Sequence, residues 1–254
     1  MMLEGKVAAV HAAGGRIGGA VARAFAREGA VVHLSGRTLA TVEQTAEKIR
    51  ADGGTAYVAE LDALDEIAVD AHAADVVRRE GRLDVVLNAM ATDPVQGVPL
   101  LDIGLDEFLH PVTSWATSQL LTSRAAARHM VERRSGTLIT LSASPAPLAI
   151  AGTAGFGVAC AAVEGMTRTL AAELGPAGVR VVCLRPHRIA DAMGYTPDLP
   201  MSEAEFAAFL EGLTLLGRLP TLDEVGRTAA FVASDGAGPM TGVVADLTAG
   251  MSVR

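Results

Sequence analysis

The sequence predicts an α/β protein with one doubly wound domain, in which a central parallel sheet of about seven strands carries helices on both faces. Short apolar runs alternate with longer amphipathic runs along all 254 residues, as in repeated strand–helix units. The short runs are almost continuously apolar, which is typical of parallel strands covered on both sides. A glycine-rich turn also separates the first strand from the first helix.

The strands and helices follow from this alternation in chain order. Between the strands, Ile17, Val21 and Phe25 recur at helical spacing in the first amphipathic run. Pro111 is predicted to lie in the first turn of a long helix that ends near Arg133, where a missing N–H costs little. The predicted strands cover residues 6–11, 31–35, 55–60, 84–87, 137–142, 179–184 and 243–247.

Composition excludes several classes of protein. Half of the residues are hydrophobic and the formal net charge is −8, which argues against nucleic acid or an anionic membrane as a partner. Cys160 and Cys183 have neither CxxC nor zinc-ligand spacing, so we expect reduced thiols and no metal site. The apolar stretch 151–174 contains Glu164 and Arg168, which favours a buried helix over a membrane span. With no visible signal peptide, we expect a cytoplasmic protein that binds a small molecule.

The stretch HAAGGRIGGA, residues 11–20, stands where a dinucleotide-binding loop would be. It follows the first strand and begins the first helix, so backbone N–H groups and the helix N-terminus can meet a pyrophosphate. The candidate phosphate-binding residues are Gly14, Gly15, Arg16, Ile17 and Gly18.

This loop resembles that of the short-chain dehydrogenase/reductase family, which reads TGxxxGxG. The family's threonine falls on His11, and its three glycines fall on Ala12, Arg16 and Gly18. Arginine at the second glycine resembles the TGxxxRxG loop of pteridine reductases, where it accompanies NADPH binding. The resemblance spans nearly the whole chain and implies one Rossmann-type domain over residues 1–254.

The resemblance also implies which residues hold the rest of a dinucleotide. The second strand ends in LSGRT, and Arg37 after Gly36 resembles the arrangement that accepts the 2′-phosphate of NADP. Asp62 matches the family's aspartate beside the adenine, and Asn88 matches the asparagine that begins its NNAG motif. We therefore expect NADP(H) ahead of NAD(H). The alternatives are a solvated arginine for Arg37 and a helix N-cap for Asp62.

The family's catalytic positions have lost their chemistry in this sequence. The run FGVACAAVEGMTRTLAAELGPAGVRV matches the family from its YxxxK motif onward, which places the tyrosine on Phe156 and the lysine on Cys160. Family spacing puts the serine on Ala143 and the asparagine on Trp115. The resemblance thus implies a degenerate active site, with Tyr/Lys ketoreductase chemistry absent or strongly impaired.

A few other residues near this register are candidates for chemistry. A slip of one residue would recruit Ser142 or Ser144 as the serine, whereas the nearest tyrosine, Tyr195, is distant in sequence. His187 replaces the glycine that the family has after the sixth strand, and a histidine there can act as acid or base. Asp191 is a candidate to orient it. The alternative for His187 is an exposed loop histidine.

Residues 185–216 form a candidate lid over the ligand crevice. This stretch contains an irregular proline-bearing part followed by a predicted helix at 202–215, and such a segment after a late strand commonly covers the carboxyl ends of the strands. A solvated surface insertion is the alternative. By resemblance, we also expect a homo-oligomer, either a dimer or a homotetramer.

Three functions remain open from the sequence. The first is a binding or regulatory protein without the family's proton relay, that is, a pseudoenzyme. The second is an NADP(H)-dependent oxidoreductase of a carbonyl or alcohol that uses another proton source. The third is a non-redox dehydratase, isomerase or cyclase, since the fold does not settle the chemistry.

Overall fold

The predicted fold class is confirmed by the computed structural model, which describes residues 1–192 and 202–253. All strand pairs in the seven-stranded sheet are parallel, in the order β3-β2-β1-β4-β5-β6-β7. The strands are β1 Val7–His11, β2 Val31–Gly36, β3 Ala56–Glu60, β4 Val85–Asn88, β5 Gly136–Leu141, β6 Val179–Pro186 and β7 Val243–Leu247.

Helices cover both faces of this sheet. The described helices are α1 Arg16–Arg27, α2 Leu39–Ala51, α3 Glu66–Glu80, α4 Leu105–Arg133, α5 Ala154–Leu174, α6 Glu203–Gly212 and α7 Leu222–Ala233. One core contains buried residues of α1, α2 and α7, and a second contains those of α3 and α4. The sheet is therefore buried on both sides, as its apolar strands predict.

The order of the strands reverses between β1 and β4, which are neighbours in the middle of the sheet. His11 at the end of β1 is paired with Ser35 of β2 on one side and with Asn88 of β4 on the other. In open α/β sheets, ligands bind outside the carboxyl ends of the strands at such a reversal. The glycine-rich loop begins at this point.

Most predicted strands have one or both ends shifted by one residue, and three predicted boundaries differ by more than that. Pro111 lies well inside α4, so its placement in the first turn is wrong. The helix begins earlier because the Glu107 carboxylate accepts a hydrogen bond from the backbone N–H of Gly104 at 3.0 Å. Strand β6 continues to Pro186 because its last two residues pair with β7. Helix α6 ends at Gly212, three residues earlier than predicted.

Within residues 1–192 and 202–253, no helix combines the length and apolarity that crossing a bilayer requires.

Candidate functional site

The turn between β1 and α1 keeps a glycine-type backbone although an alanine occupies it. Ala12 has a φ of +57°, in the left-handed region that L-residues rarely adopt. A Cβ on Gly18 would collide with the carbonyl oxygen of Ala12, so the first turn of α1 lies directly against this residue. Ala13 donates its N–H to the Ser35 carbonyl at 2.9 Å, which fixes the turn to β2.

The N-terminus of α1 is suited to an anionic group. Gly15 is its N-cap, the helix has no side-chain cap, and its first turn contains no acidic residue. Gly14, Gly15 and Arg16 are exposed there. Unsatisfied backbone N–H groups and the positive end of the helix dipole favour phosphate at such a position. A dinucleotide pyrophosphate therefore fits the residues that are present.

His11 lies beneath this loop and joins two strands. Its Nδ1 lies 2.8 Å from the Ser35 hydroxyl, and its side chain is buried. Burial, assisted by the nearby His72, lowers the pKa of His11 to about 3. A neutral, buried imidazole here ties β1 to β2.

Arg37 and Asp62, the residues predicted to contact the adenosine half of a dinucleotide, follow β2 and β3 respectively. Arg37 is exposed and directly follows β2. Asp62 is exposed, and its carboxylate accepts the N–H of Leu64 at 3.0 Å. The helix-cap alternative for Asp62 is wrong, since α3 is capped by Asp65, whose side chain accepts the N–H of Ala68. The loop between β3 and α3 is three residues longer than a cap at position 62 would allow.

Asn88 connects the middle of the sheet to α4. Its side-chain amide donates to the Thr122 hydroxyl at 3.2 Å, and its carbonyl accepts from the Gln119 amide at 3.0 Å. Its side-chain oxygen accepts the N–H of Met90 at 2.9 Å. Because three of its polar groups are engaged within the protein, Asn88 fixes the end of β4 beside the crevice.

The structure brings together the four residues that the resemblance places at the family's catalytic positions. Trp115 of α4 and Phe156 of α5 stack with ring centroids 5.5 Å apart and planes 11° apart. Cys160 and Ala143 belong to the same apolar cluster. Burial raises the pKa of the Cys160 thiol to about 12, partly offset by the adjacent Ala143 backbone. The cluster therefore presents hydrocarbon surface and a protonated thiol.

The Trp115 indole is the polar exception in this cluster. Trp115 is only 4% exposed, and its Nε1 is buried with no hydrogen-bond partner among the described residues. An unpaired buried donor ordinarily destabilises a protein by about 1–3 kcal/mol.

Ser142 is hydrogen-bonded to Glu164 of α5. Its hydroxyl donates to the Glu164 carboxylate at 2.9 Å, and Arg185 donates to the same carboxylate at 3.1 Å. Arg185 also reaches Asp246 at 2.9 Å. This buried network satisfies Glu164 within the protein and removes Ser142 from the candidate active-site residues.

Ser144 instead pairs with His187. Its hydroxyl lies 3.0 Å from Nδ1 of the imidazole. His187 is only 8% exposed, so the alternative of an exposed loop histidine is wrong. Asp191 does not orient the ring as predicted, because its carboxylate accepts the N–H of Leu222 at the start of α7.

The sequence predicts Ser144 and His187 as candidate site residues, but it does not predict that they contact each other. Their positions could have indicated the contact, because Ser144 follows β5 and His187 follows β6, and these two strands are neighbours in the sheet. Tyr195 lies outside the described residues. Tyr57, the other tyrosine, stacks on His33 in the outer strands, with ring centroids 4.9 Å apart.

A doubly wound parallel sheet with a glycine-rich loop at its point of reversal defines a dinucleotide-fold α/β protein. The family described as enoyl-(acyl carrier protein) reductase matches residues 12–252. The chain belongs to the short-chain dehydrogenase/reductase family, a family of oxidoreductases.

Individual relatives support the same assignment. The chain is 34% identical over 252 residues to the 3-oxoacyl-[acyl-carrier-protein] reductase FabG of Pseudomonas aeruginosa, covering 99% of each protein. It is 34% identical to the short-chain reductase protein NovJ of Streptomyces niveus, covering 93% of this chain and 90% of that protein.

Solved structures agree on the fold. A short-chain dehydrogenase/reductase from Serratia marcescens superposes with a TM-score of 0.86 at 26% identity, covering 99% of this chain and 100% of the other. An NAD⁺-bound xylitol dehydrogenase superposes with a TM-score of 0.90 at 24% identity, covering 98% of this chain and 100% of the other. At that identity the second likeness concerns the fold alone.

Proposed function

We propose that this chain binds a nicotinamide dinucleotide, with NADP(H) preferred over NAD(H), and a small apolar molecule beside it, without the Tyr/Lys proton relay of its family. The observation that carries the proposal is the Trp115–Phe156 stack above the buried Cys160, at the positions of the family's asparagine, tyrosine and lysine. Standard ketoreductase chemistry is absent or strongly impaired in such a site.

The dinucleotide part of the proposal rests on the crevice at the ends of β1, β2 and β4. The first turn of α1, with the pteridine-reductase-like Arg16, would hold the pyrophosphate. Arg37 would contact the 2′-phosphate, Asp62 would border the adenine, and Asn88 would shape the floor of the crevice. A nicotinamide ring bound here would supply or accept a hydride. The residues that would hold the pyrophosphate are Gly14, Gly15, Arg16, Ile17 and Gly18.

The loss of the relay should lower the turnover rate by a predictable factor. A positioned acid or base contributes roughly 10²–10⁴-fold to a rate, and Phe156 has no proton to give. Cys160, with its pKa raised to about 12 by burial, stays a neutral thiol at pH 7. It offers no cation to hold a ribose or to lower the pKa of a neighbouring group. Turnover of ketones should therefore be slower by about this factor than in a relative with the relay.

The ligand part of the proposal rests on the chemistry of the cluster. Val112, Ala143, Ala146 and Phe156 are partly buried around Trp115, and this surface favours a compact apolar or aromatic ligand. Of the candidate lid, residues 185–216, the first two belong to β6 and residues 193–201 lie outside the described part of the chain. The remainder would cover this ligand, and within it the Arg188 guanidinium lies 4.9 Å from the ring centroid of Phe206 in α6. A homo-oligomer that packs through α4 and α5 would complete the assembly.

The first test is a calorimetric titration with NADPH and with NADH. NADPH should bind more tightly, and Arg37→Ala should weaken NADPH about 10- to 100-fold, as expected for a charge-assisted contact, while NADH binding changes little. Arg27→Ala is the matched control, because Arg27 is an exposed arginine at the opposite end of α1 from the loop. Absence of binding at millimolar NADPH would refute the dinucleotide part.

The second test concerns the relay. A panel of aldehydes and ketones with NADPH should show turnover at least 10²-fold below that of a relative such as the FabG protein. The variant Trp115→Asn, Ala143→Ser, Phe156→Tyr, Cys160→Lys should raise turnover, while Phe156→Tyr alone should not. Ordinary enzymatic rates in the parent protein would contradict a missing relay.

A second candidate function has an observation of its own. The Ser144–His187 pair lies at the same edge of the sheet. In an NADP(H)-dependent oxidoreductase that lacks the tyrosine, this pair would be the proton donor. If that reading is right, residual carbonyl turnover should disappear in His187→Ala. Residual turnover that is unchanged in this variant would eliminate it.

A further inference from the structure

The Ser144–His187 pair is held rigidly at the carboxyl edge of the sheet. The strands that lead to the two residues, β5 and β6, are paired up to Leu141 and Leu184. The Ser144 N–H donates to the Pro186 carbonyl at 3.2 Å, and the His187 N–H donates to the Leu247 carbonyl at 3.4 Å. The 3.0 Å contact between their side chains therefore joins two groups whose backbones are already fixed.

One nitrogen of this pair is left without a partner. Ser144 is 5% exposed and His187 is 8% exposed, so both are more than nine-tenths buried. Nδ1 of His187 faces the serine, whereas Nε2 is buried with no hydrogen-bond partner in residues 1–192 and 202–253. Such a nitrogen is costly unless something else satisfies it.

The pair borders the apolar cluster. Ala143, which precedes Ser144, packs against the cluster that contains Trp115 and Cys160. Burial, and secondarily the positive Arg188, lowers the pKa of His187, so its ring is neutral at pH 7. A neutral imidazole has one donor and one acceptor nitrogen, and the Ser144 hydroxyl can pair with Nδ1 in either role.

A serine hydroxyl can serve either form of the ring. When the hydroxyl donates to Nδ1, Nε2 carries the hydrogen and can donate to a carbonyl oxygen. When the hydroxyl accepts from Nδ1, Nε2 is the acceptor and can receive a ligand hydroxyl. The same pair therefore matches both members of a ketone and secondary-alcohol couple, by rotation of one O–H bond and a change of tautomer.

We propose that Nε2 of His187 is the polar anchor for the oxygen of a ketone or secondary alcohol whose hydrocarbon body lies against Trp115 and Phe156, and that Ser144 is the positioning residue that holds Nδ1 of the ring in either tautomer. This inference rests on the small-molecule site of the proposed function. It adds the residue that recognises the oxygen of the ligand.

Binding of 1-tetralone, 1-tetralol and tetralin, measured by calorimetry without dinucleotide, tests the anchor. The three probes share a fused-ring body and differ in the oxygen. Parent protein should bind the ketone and the alcohol about 10-fold more tightly than the hydrocarbon, the difference expected from one hydrogen bond. His187→Leu should abolish that preference while tetralin binding persists.

Two further variants separate recognition from folding. His187→Gln should retain much of the preference, because its side-chain amide offers both a donor and an acceptor. Ser142→Ala is the matched control, since its hydroxyl bonds Glu164 instead, and it should leave the preference intact. A parent protein that binds 1-tetralone no better than tetralin would overturn the proposal.

The role of Ser144 has a spectroscopic signature. In protein with ¹⁵N-labelled histidine, the His187 signals are assigned by their absence from His187→Leu. They should move toward the Nε2-protonated pattern with 1-tetralone and away from it with 1-tetralol. Ser144→Ala should reduce both shifts, and identical shifts with and without the serine would refute its positioning role. Loss of NADPH binding would refute the dinucleotide proposal but leave these results unaffected.

Discussion

Acidification should destabilise this protein through two neighbouring histidines, of which His11 is buried and His72 is partly buried. His11 of β1 and His72 of α3 lie edge to face, with ring centroids 5.6 Å apart. Burial, with His72 beside it, lowers the pKa of His11 to about 3, and burial, with His33 beside it, lowers the pKa of His72 to about 4. Both rings are neutral in the folded protein at pH 7 and remain so at pH 5.

The sign follows from proton binding in the two states. Between pH 6.5 and the lowered values, the unfolded chain binds protons at these rings and the folded chain does not, so stability falls as pH falls. One pKa unit corresponds to 1.36 kcal/mol, and pH 5 lies about 1.5 units below 6.5, so each ring costs about 2 kcal/mol between pH 7 and pH 5.

Urea denaturation at pH 7 and pH 5 measures this effect as a difference between variants. His72→Asn should reduce the loss of unfolding free energy on acidification by about 2 kcal/mol, because it removes one of the two rings; any rise in the pKa of His11 without His72 beside it adds to this reduction. Val76→Ala is the matched control on the same helix. It removes buried methyl groups without removing a titratable group, so it should lower stability equally at both pH values.

If His72→Asn lost as much stability as the parent between pH 7 and pH 5, the lowered pKa of His72 would not be a cause of the acid destabilisation. The same conclusion would follow if Val76→Ala changed the pH dependence as much as His72→Asn did. Carboxylates contribute to the pH dependence of both proteins alike, so they cancel in the comparison.

Three further predictions concern backbone strain, thiol reactivity and helix capping. Ala12→Gly should stabilise the protein by about 0.5–1 kcal/mol in urea denaturation, because relief of the positive φ exceeds the added chain entropy; the buried Ala13→Gly should destabilise it. Cys160, with its pKa near 12, should resist iodoacetamide at pH 8 in the native protein and react in urea, whereas rapid native labelling would contradict its burial. Asp65→Ala should cost about 1 kcal/mol through loss of the α3 cap, and Asp62→Ala less than half of that; the reverse order in thermal denaturation would show that the cap is misassigned.

The order of the elements was predictable because each strand is short, apolar and bounded by an amphipathic helix. All seven predicted strands exist, with ends shifted by no more than two residues. Pro111 was misplaced because the capping contact of Glu107 with Gly104 starts α4 earlier than the proline suggests. A local rule about proline in the first turn was outweighed by another local contact that the sequence pattern did not single out.

The candidate site was less predictable than the fold. Residue spacing sufficed to place Trp115, Ala143, Phe156 and Cys160 in one register, and the structure shows them in one cluster. The roles of these residues, and of the cofactor-binding candidates, remain predictions. Ser142 and Ser144 were equivalent in the sequence, and only their contacts separate them, one with Glu164 and the other with His187.

The sequence alone determined the parallel sheet and the glycine-rich turn after its first strand, and it predicted that Phe156 and Cys160 stand at the family's tyrosine and lysine positions. These properties depend on local periodicity and spacing. Only the tertiary structure decided that His187 is buried against Ser144, that Ala12 adopts a left-handed backbone and that the Trp115 and Phe156 rings stack. Those features depend on contacts between residues of strands and helices that are distant in the chain, and no local sequence pattern encodes such contacts.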